Sequence, residues 1–121
     1  MAKLDHLGLQ VADRSRSTRW FVETLGLEVE FEIPEAGVTA LRDDAELAIF
    51  LNETRAPKVE ATLYFQVDSV DALYGTLAAR GVSFVQPPQV NSWGYGAELL
   101  DPDGHVVRLW DASSMKEHEK R

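Results

Sequence analysis

The residues of this chain able to do chemistry are few, and alternation along its strands gathers most of them on one side. In Leu4 to Val11 the apolar Leu7, Leu9 and Val11 recur at period two, which sends His6, Gly8 and Gln10 to the opposite face. In Ala61 to Val67 the same rule sets Leu63, Phe65 and Val67 against Thr62, Tyr64 and Gln66. In His105 to Trp110 it turns Val107 and Leu109 inward and leaves Arg108 and Trp110 with the polar set. For the strand Leu47 to Leu51 the alternation is ambiguous, and the reading taken places Leu47, Ile49 and Leu51 on the polar side. A face of imidazole, amides, hydroxyls, a guanidinium and aromatic rings suits a small-molecule pocket, with a plain solvated sheet surface as the competing reading. His6 beside a carboxylate would serve as acid or base, but the sequence does not single out that carboxylate. There is no Gly-rich phosphate loop, no Cys nucleophile and no serine elbow.

Composition narrows the classes further. The 121 residues are 45% hydrophobic and 26% charged, enough for one compact core. Twenty Asp and Glu against 12 Lys and Arg give a net charge of −8, which disfavours nucleic acid. The basic group Arg14, Arg16 and Arg19 reads as the wet side of a helix. No apolar run is long enough to span a membrane, and the first residues carry no apolar signal region. The absence of Cys rules out disulfides and thiolate metal sites and fits a cytoplasmic protein.

The elements that must position these residues come in two similar sets. Each set reads strand, helix, then three strands. Asp13 caps the first helix, Trp20, Phe21 and Leu25 form its apolar stripe, and Gly26 ends it. Strands follow at Glu28 to Ile33, Gly37 to Arg42 and Leu47 to Leu51, with a turn at Asp43-Asp44. The second helix starts from Asp68 or Ser69, buries Val70, Leu73, Tyr74 and Leu77, and ends at Gly81. Strands near Val82 to Val85, Gly94 to Leu100 and His105 to Trp110 complete the set, the last two joined by Asp101-Pro102-Asp103-Gly104. The reading is an α+β chain of two tandem βαβββ modules at residues 1–52 and 60–111. A linker at 53–59 joins them, and a charged tail at 112–121 follows, whose order is left open apart from His118, which is expected to be disordered.

Several stretches carry a family resemblance over nearly the whole chain up to Asp111. They are Leu4-Asp5-His6-Leu7-Gly8-Leu9-Gln10-Val11, Trp20-Phe21 with Leu25-Gly26-Leu27, Phe65-Gln66-Val67-Asp68, Arg80-Gly81-Val82, Trp93-Gly94, and Leu100 to His105. Together they resemble the vicinal oxygen chelate superfamily of glyoxalase I, extradiol dioxygenases and the fosfomycin- and bleomycin-resistance proteins. The resemblance implies paired modules curled into a cup-shaped mixed sheet, a homodimer, and a small molecule bound in the cleft.

In the family's metalloenzymes the first and last strands of each module supply one metal ligand apiece, commonly His and Glu. Carried over, those positions hold His6, Ile49, Thr62 and Arg108, of which only His6 could bind a metal. Glu46, Glu60, Glu98 and His105 offer no pair at ligand spacing. The resemblance therefore points to the metal-free, bleomycin-resistance-like branch, with no cofactor expected. Its expected function is to sequester an aromatic or cationic compound such as an antibiotic. Phe31, Trp93 and Trp110 would stack on the ligand, and the acidic balance would favour a cation. Ala36 stands where antibiotic binders tend to carry another aromatic, which sets bleomycin itself apart. The alternative is a lyase, isomerase or dioxygenase holding a divalent metal through His6.

Overall fold

The structure is a computed structural model and describes residues 1–118. The chain divides into two compact units, Met1–Val59 with Asp101–Asp103, and Glu60–Leu100 with the chain from Gly104 onward.

In the first unit, β1 (His6–Val11) buries Leu9 and Val11 and leaves His6, Gly8 and Gln10 exposed. α1 (Arg14–Leu25) begins at Asp13, whose carboxylate accepts from the Arg16 N–H at 3.0 Å. It ends at Gly26, where φ of 74° lets the N–H return to the carbonyls of Phe21 and Val22. Its fully buried residues are Ser17, Phe21 and Thr24, so the stripe is smaller-grained than expected and Trp20 and Leu25 are only half-buried. β2 (Glu28–Ile33), β3 (Val38–Arg42) and β4 (Ala48–Glu53) follow, with a 3-10 turn at Pro34–Ala36 between β2 and β3. The Asp43 carboxylate accepts from the N–H groups of Ala45 and Leu47 and so shapes the β3–β4 turn. The sheet order is β1-β4-β3-β2, with β1 parallel to β4 and the remaining pairs antiparallel.

The second unit repeats this plan. β5 (Thr62–Gln66), α2 (Val70–Ala79), β6 (Phe84–Asn91), β7 (Gly94–Leu100) and β8 (Val106–Trp110) form a sheet ordered β5-β8-β7-β6. β5 runs parallel to β8, as β1 does to β4. Ser69, not Asp68, caps α2 by accepting from the Ala72 N–H at 3.1 Å. β6 extends well past the expected Val85, through Pro87 and Pro88. The prolines are tolerated because β6 is an edge strand paired only with β7, and its pairing shifts register on the way.

The segment after Asp111 is a helix, α3 (Ala112–His118), which corrects the expectation of disorder for His118. Its cause is Asp111, 2% exposed, whose two oxygens accept from the N–H of Val70 at 2.7 Å and of Ser114 at 2.6 Å. One carboxylate thus caps α3 and fixes the first residue of α2. The remainder of the expected tail lies outside the described residues. Among the described residues no helix is long and apolar enough to cross a membrane.

Candidate functional site

Strand pairing decides which side chains share a face. Gly8 of β1 lies opposite Phe50 of β4, and Tyr64 of β5 lies opposite Arg108 of β8. Gly8 and Tyr64 each stand two residues after the outward residue that opens their strand, His6 and Thr62. The residue equivalent to Arg108 in the first module is therefore Phe50. Ile49 pairs with Leu7 and Leu41, and is 6% exposed on the helix-covered side. The expectation that Ile49 faces the same way as His6 is thus corrected. β4 runs beside β1, so it must take the register that sends Ile49 and Leu51 down with Leu9.

On the outward face of the first unit, the His6 ring stacks on Phe50 with centroids 3.8 Å apart and planes 18° apart. Phe31, 41% exposed, meets the same Phe50 ring edge-on at 5.5 Å. The Nδ1 of His6 is hydrogen-bonded to Asp5 Oδ2 at 2.9 Å, which identifies the carboxylate the sequence left open. That carboxylate is largely solvated, and its hydrogen bond orients the ring. Gln10 is committed elsewhere: its side-chain oxygen accepts from the Lys58 N–H at 2.9 Å and tethers the segment after β4.

The outward face of the second unit is more highly built. Arg108 donates through Nε to Glu98 Oε1 at 2.9 Å and through Nη1 to the Tyr64 hydroxyl. Its guanidinium carbon lies 5.4 Å from the ring centroids of both Tyr64 and Trp93. Those two rings meet edge-to-face at 5.7 Å and 81°. Hydrogen bonding to Glu98 holds the guanidinium above its ordinary pKa; burial opposes this and the Tyr64 contact adds to it. Trp93 sits in the two-residue β6–β7 turn, its N–H donating to the Asn91 carboxamide oxygen at 3.1 Å. The indole folds back over Gly96, where the place of a Cβ is taken by the ring and by the Leu109 carbonyl. Thr62 and Gln66 are exposed on the strand that carries Tyr64, and Trp110, half-buried, lies opposite Gln66 in register.

α3 supports this hairpin end. The Met115 side chain occupies the place of a Cβ at Gly94, and His118 stacks on Tyr95 at 4.2 Å and 8°. The Tyr95 hydroxyl donates to Asp71 Oδ1 at 2.6 Å, which pushes its pKa up to about 12, with burial contributing.

Two residues escaped the sequence reading. Glu98 was placed only near the closing hairpin, although the turn at Asp101-Pro102-Asp103-Gly104 implies its register: once Leu100 pairs with Val106, Glu98 must face Arg108. Arg14 belongs to the cluster read as wet, yet its Nη1 donates to the Val38 carbonyl at 2.9 Å and to Thr39 Oγ1 at 3.1 Å. Glu32 stands 3.6 Å from the same nitrogen, so this guanidinium ties α1 to the sheet.

The four positions equivalent to metal-ligand slots hold His6, Phe50, Thr62 and Arg108. One imidazole among a phenyl, a hydroxyl and a guanidinium does not make the three-ligand set that a catalytic divalent ion needs. Glu98, opposite Arg108 in register, is bonded to it. Among the described residues no group of three His, Cys, Asp or Glu could hold a metal ion.

The βαβββ repeat and its outward polar-aromatic faces define a protein of the glyoxalase and bleomycin-resistance fold. Residues 3–109 match the family model of the Glyoxalase/Bleomycin resistance protein/Dioxygenase superfamily, and the chain belongs to that superfamily. Among solved structures it resembles TnmS3, an antibiotic binding protein from Streptomyces sp. CB03234. The two are 26% identical, with a TM-score of 0.77 over 92% of this chain and 96% of that one. It also resembles a superfamily member from Sphaerobacter thermophilus DSM 20745 (23% identity, TM-score 0.75, 92% and 98% covered). A lactoylglutathione lyase from Agrobacterium tumefaciens shares the fold at 15% identity and a TM-score of 0.74, with 93% and 95% covered. No curated protein sequence matches the chain significantly.

Proposed function

We propose that this protein is a metal-independent binder that sequesters a planar aromatic compound, with an antibiotic as the class favoured by the likeness to TnmS3. The observation that carries the reading is the Tyr64–Trp93–Arg108 assembly, in which two rings and a guanidinium are held in fixed mutual geometry on an outward strand face. Rings already packed against a pinned side chain lose little freedom on stacking with a ligand. His6, Phe50 and Phe31 provide a second aromatic surface in the first unit. The donor set at the ligand-equivalent positions supports binding without a metal.

The test is calorimetric titration of a panel of planar aromatic antibiotics into the wild type and into Trp93→Ala. Micromolar or tighter binding that weakens at least about tenfold in the variant supports the reading. Binding that is indifferent to Trp93 would sink it. The same reading places the protein in the cytoplasm, consistent with its lack of Cys. It also makes the protein a homodimer, which sedimentation equilibrium would test.

A further inference from the structure

The reading above leaves open the charge of the bound compound, and Arg108 bears on it. Resting on that reading, we infer that the compound is a planar aromatic bearing a carboxylate or comparable anionic oxygen, which it presents to the free edge of Arg108.

A guanidinium has five N–H groups. One serves Glu98 and one serves Tyr64. The second N–H of Nη1 and both of Nη2 make no hydrogen bond to any described residue. The side chain is 27% exposed, and these three N–H groups are the donors left for a ligand while Nε and Nη1 are held by Glu98 and Tyr64. Two parallel N–H groups of a planar guanidinium match the two oxygens of a carboxylate, and two rings beside them match a flat body.

The same arrangement disfavours a cationic ligand. Ring faces attract cations, but here Arg108 itself already occupies the position within 5.4 Å of both rings. A second cation would meet that charge at close range. Glu98, whose side chain is 15% exposed, is already bonded to Arg108 Nε and offers an incoming ammonium little access. The net charge of −8 favours cations only over the surface at large, where salt screens it.

The experiment compares three probes with one ring system: anthracene-2-carboxylate, its neutral carboxamide, and the corresponding anthracenylmethylammonium. Titration calorimetry on the wild type should place the carboxylate about tenfold tighter than the carboxamide, with the ammonium weakest. In Arg108→Gln the three should converge, while the carboxamide still depends on Trp93. Equal or tighter binding of the ammonium to the wild type overturns the inference, and this comparison needs no variant to fold. A carboxylate preference that survives in Arg108→Gln overturns it too. Should the carboxamide bind through Trp93 without any charge preference, the inference alone falls. Should no probe bind, the aromatic-binder reading falls with it.

Discussion

The Trp93 indole lies in the space that a side chain at Gly96 would occupy, three residues along the same hairpin. The ring is therefore seated on bare backbone. Gly96→Ala should displace the indole from Tyr64 and Arg108 and press the new methyl against the Leu109 carbonyl. The expected cost is about 1–3 kcal/mol of stability, read by urea unfolding, together with a changed tryptophan emission spectrum. An unchanged midpoint and spectrum would mean that the ring does not rest there.

Tyr95 supplies a test at alkaline pH. Its folded pKa, about 12, lies above the unfolded value of about 10, chiefly because the hydroxyl donates to Asp71. The stability it contributes is thus fully present below pH 10 and is lost as pH rises through about 12. Tyr95→Phe should cost about 1 kcal/mol at neutral pH and lose less stability than the wild type between pH 10 and 12. Phenolate absorbance should show the late titration of Tyr95 in the wild type and its loss in the variant.

Asp111 acts with the opposite sign. Burial pushes its pKa up, but the N–H groups of Val70 and Ser114 outweigh burial and hold it below the ordinary value. Its contribution is present above the unfolded pKa of about 3.9 and disappears as pH falls through the lower folded value. Asp111→Asn should cost about 1–3 kcal/mol near neutrality, flatten the acid limb of the stability curve below about pH 4, and reduce the helical signal of α3. Matching acid limbs in the two proteins would refute this role.

His6 gives a prediction about metals. Zinc, nickel or manganese added at equimolar concentration should not raise the thermal midpoint by more than about 1 °C, and His6→Ala should leave that response unchanged. A stoichiometric rise abolished by His6→Ala would restore the metalloenzyme reading.

Where the sequence reading succeeded, the hydrophobic period and the turn chemistry agreed. Leu9 and Val11, Val107 and Leu109, the Asp13 cap and the Gly26 stop all behave as alternation and capping require. β4 defeated it because Ala48 and Phe50 are as apolar as Ile49 and Leu51, and only pairing beside β1 breaks the tie. The length of β6 was hidden by Pro87 and Pro88, which forbid a central strand but not an edge one. α3 was hidden because its stability comes from Asp111 and from packing on Gly94 and Tyr95, and not from an apolar stripe of its own. Alternation puts Arg108 opposite Val107 and Leu109, but its partner Glu98 follows only from the hairpin register.

Asp103 belongs by sequence to the turn that closes the second module, but it is built into the first unit. Its carboxylate, 3% exposed, accepts from the Ala12 N–H at 3.0 Å, from Arg16 Nη2 at 3.2 Å and from Ser17 Oγ at 3.2 Å. The start of α1 is therefore completed by a residue synthesised some ninety positions later. On the ribosome the leading half must wait for nearly the entire chain before its first helix is finished. Cutting the gene at the join between the repeats would strip that helix of the Asp103 carboxylate, so the first repeat made alone would begin its helix with those donors unpaired.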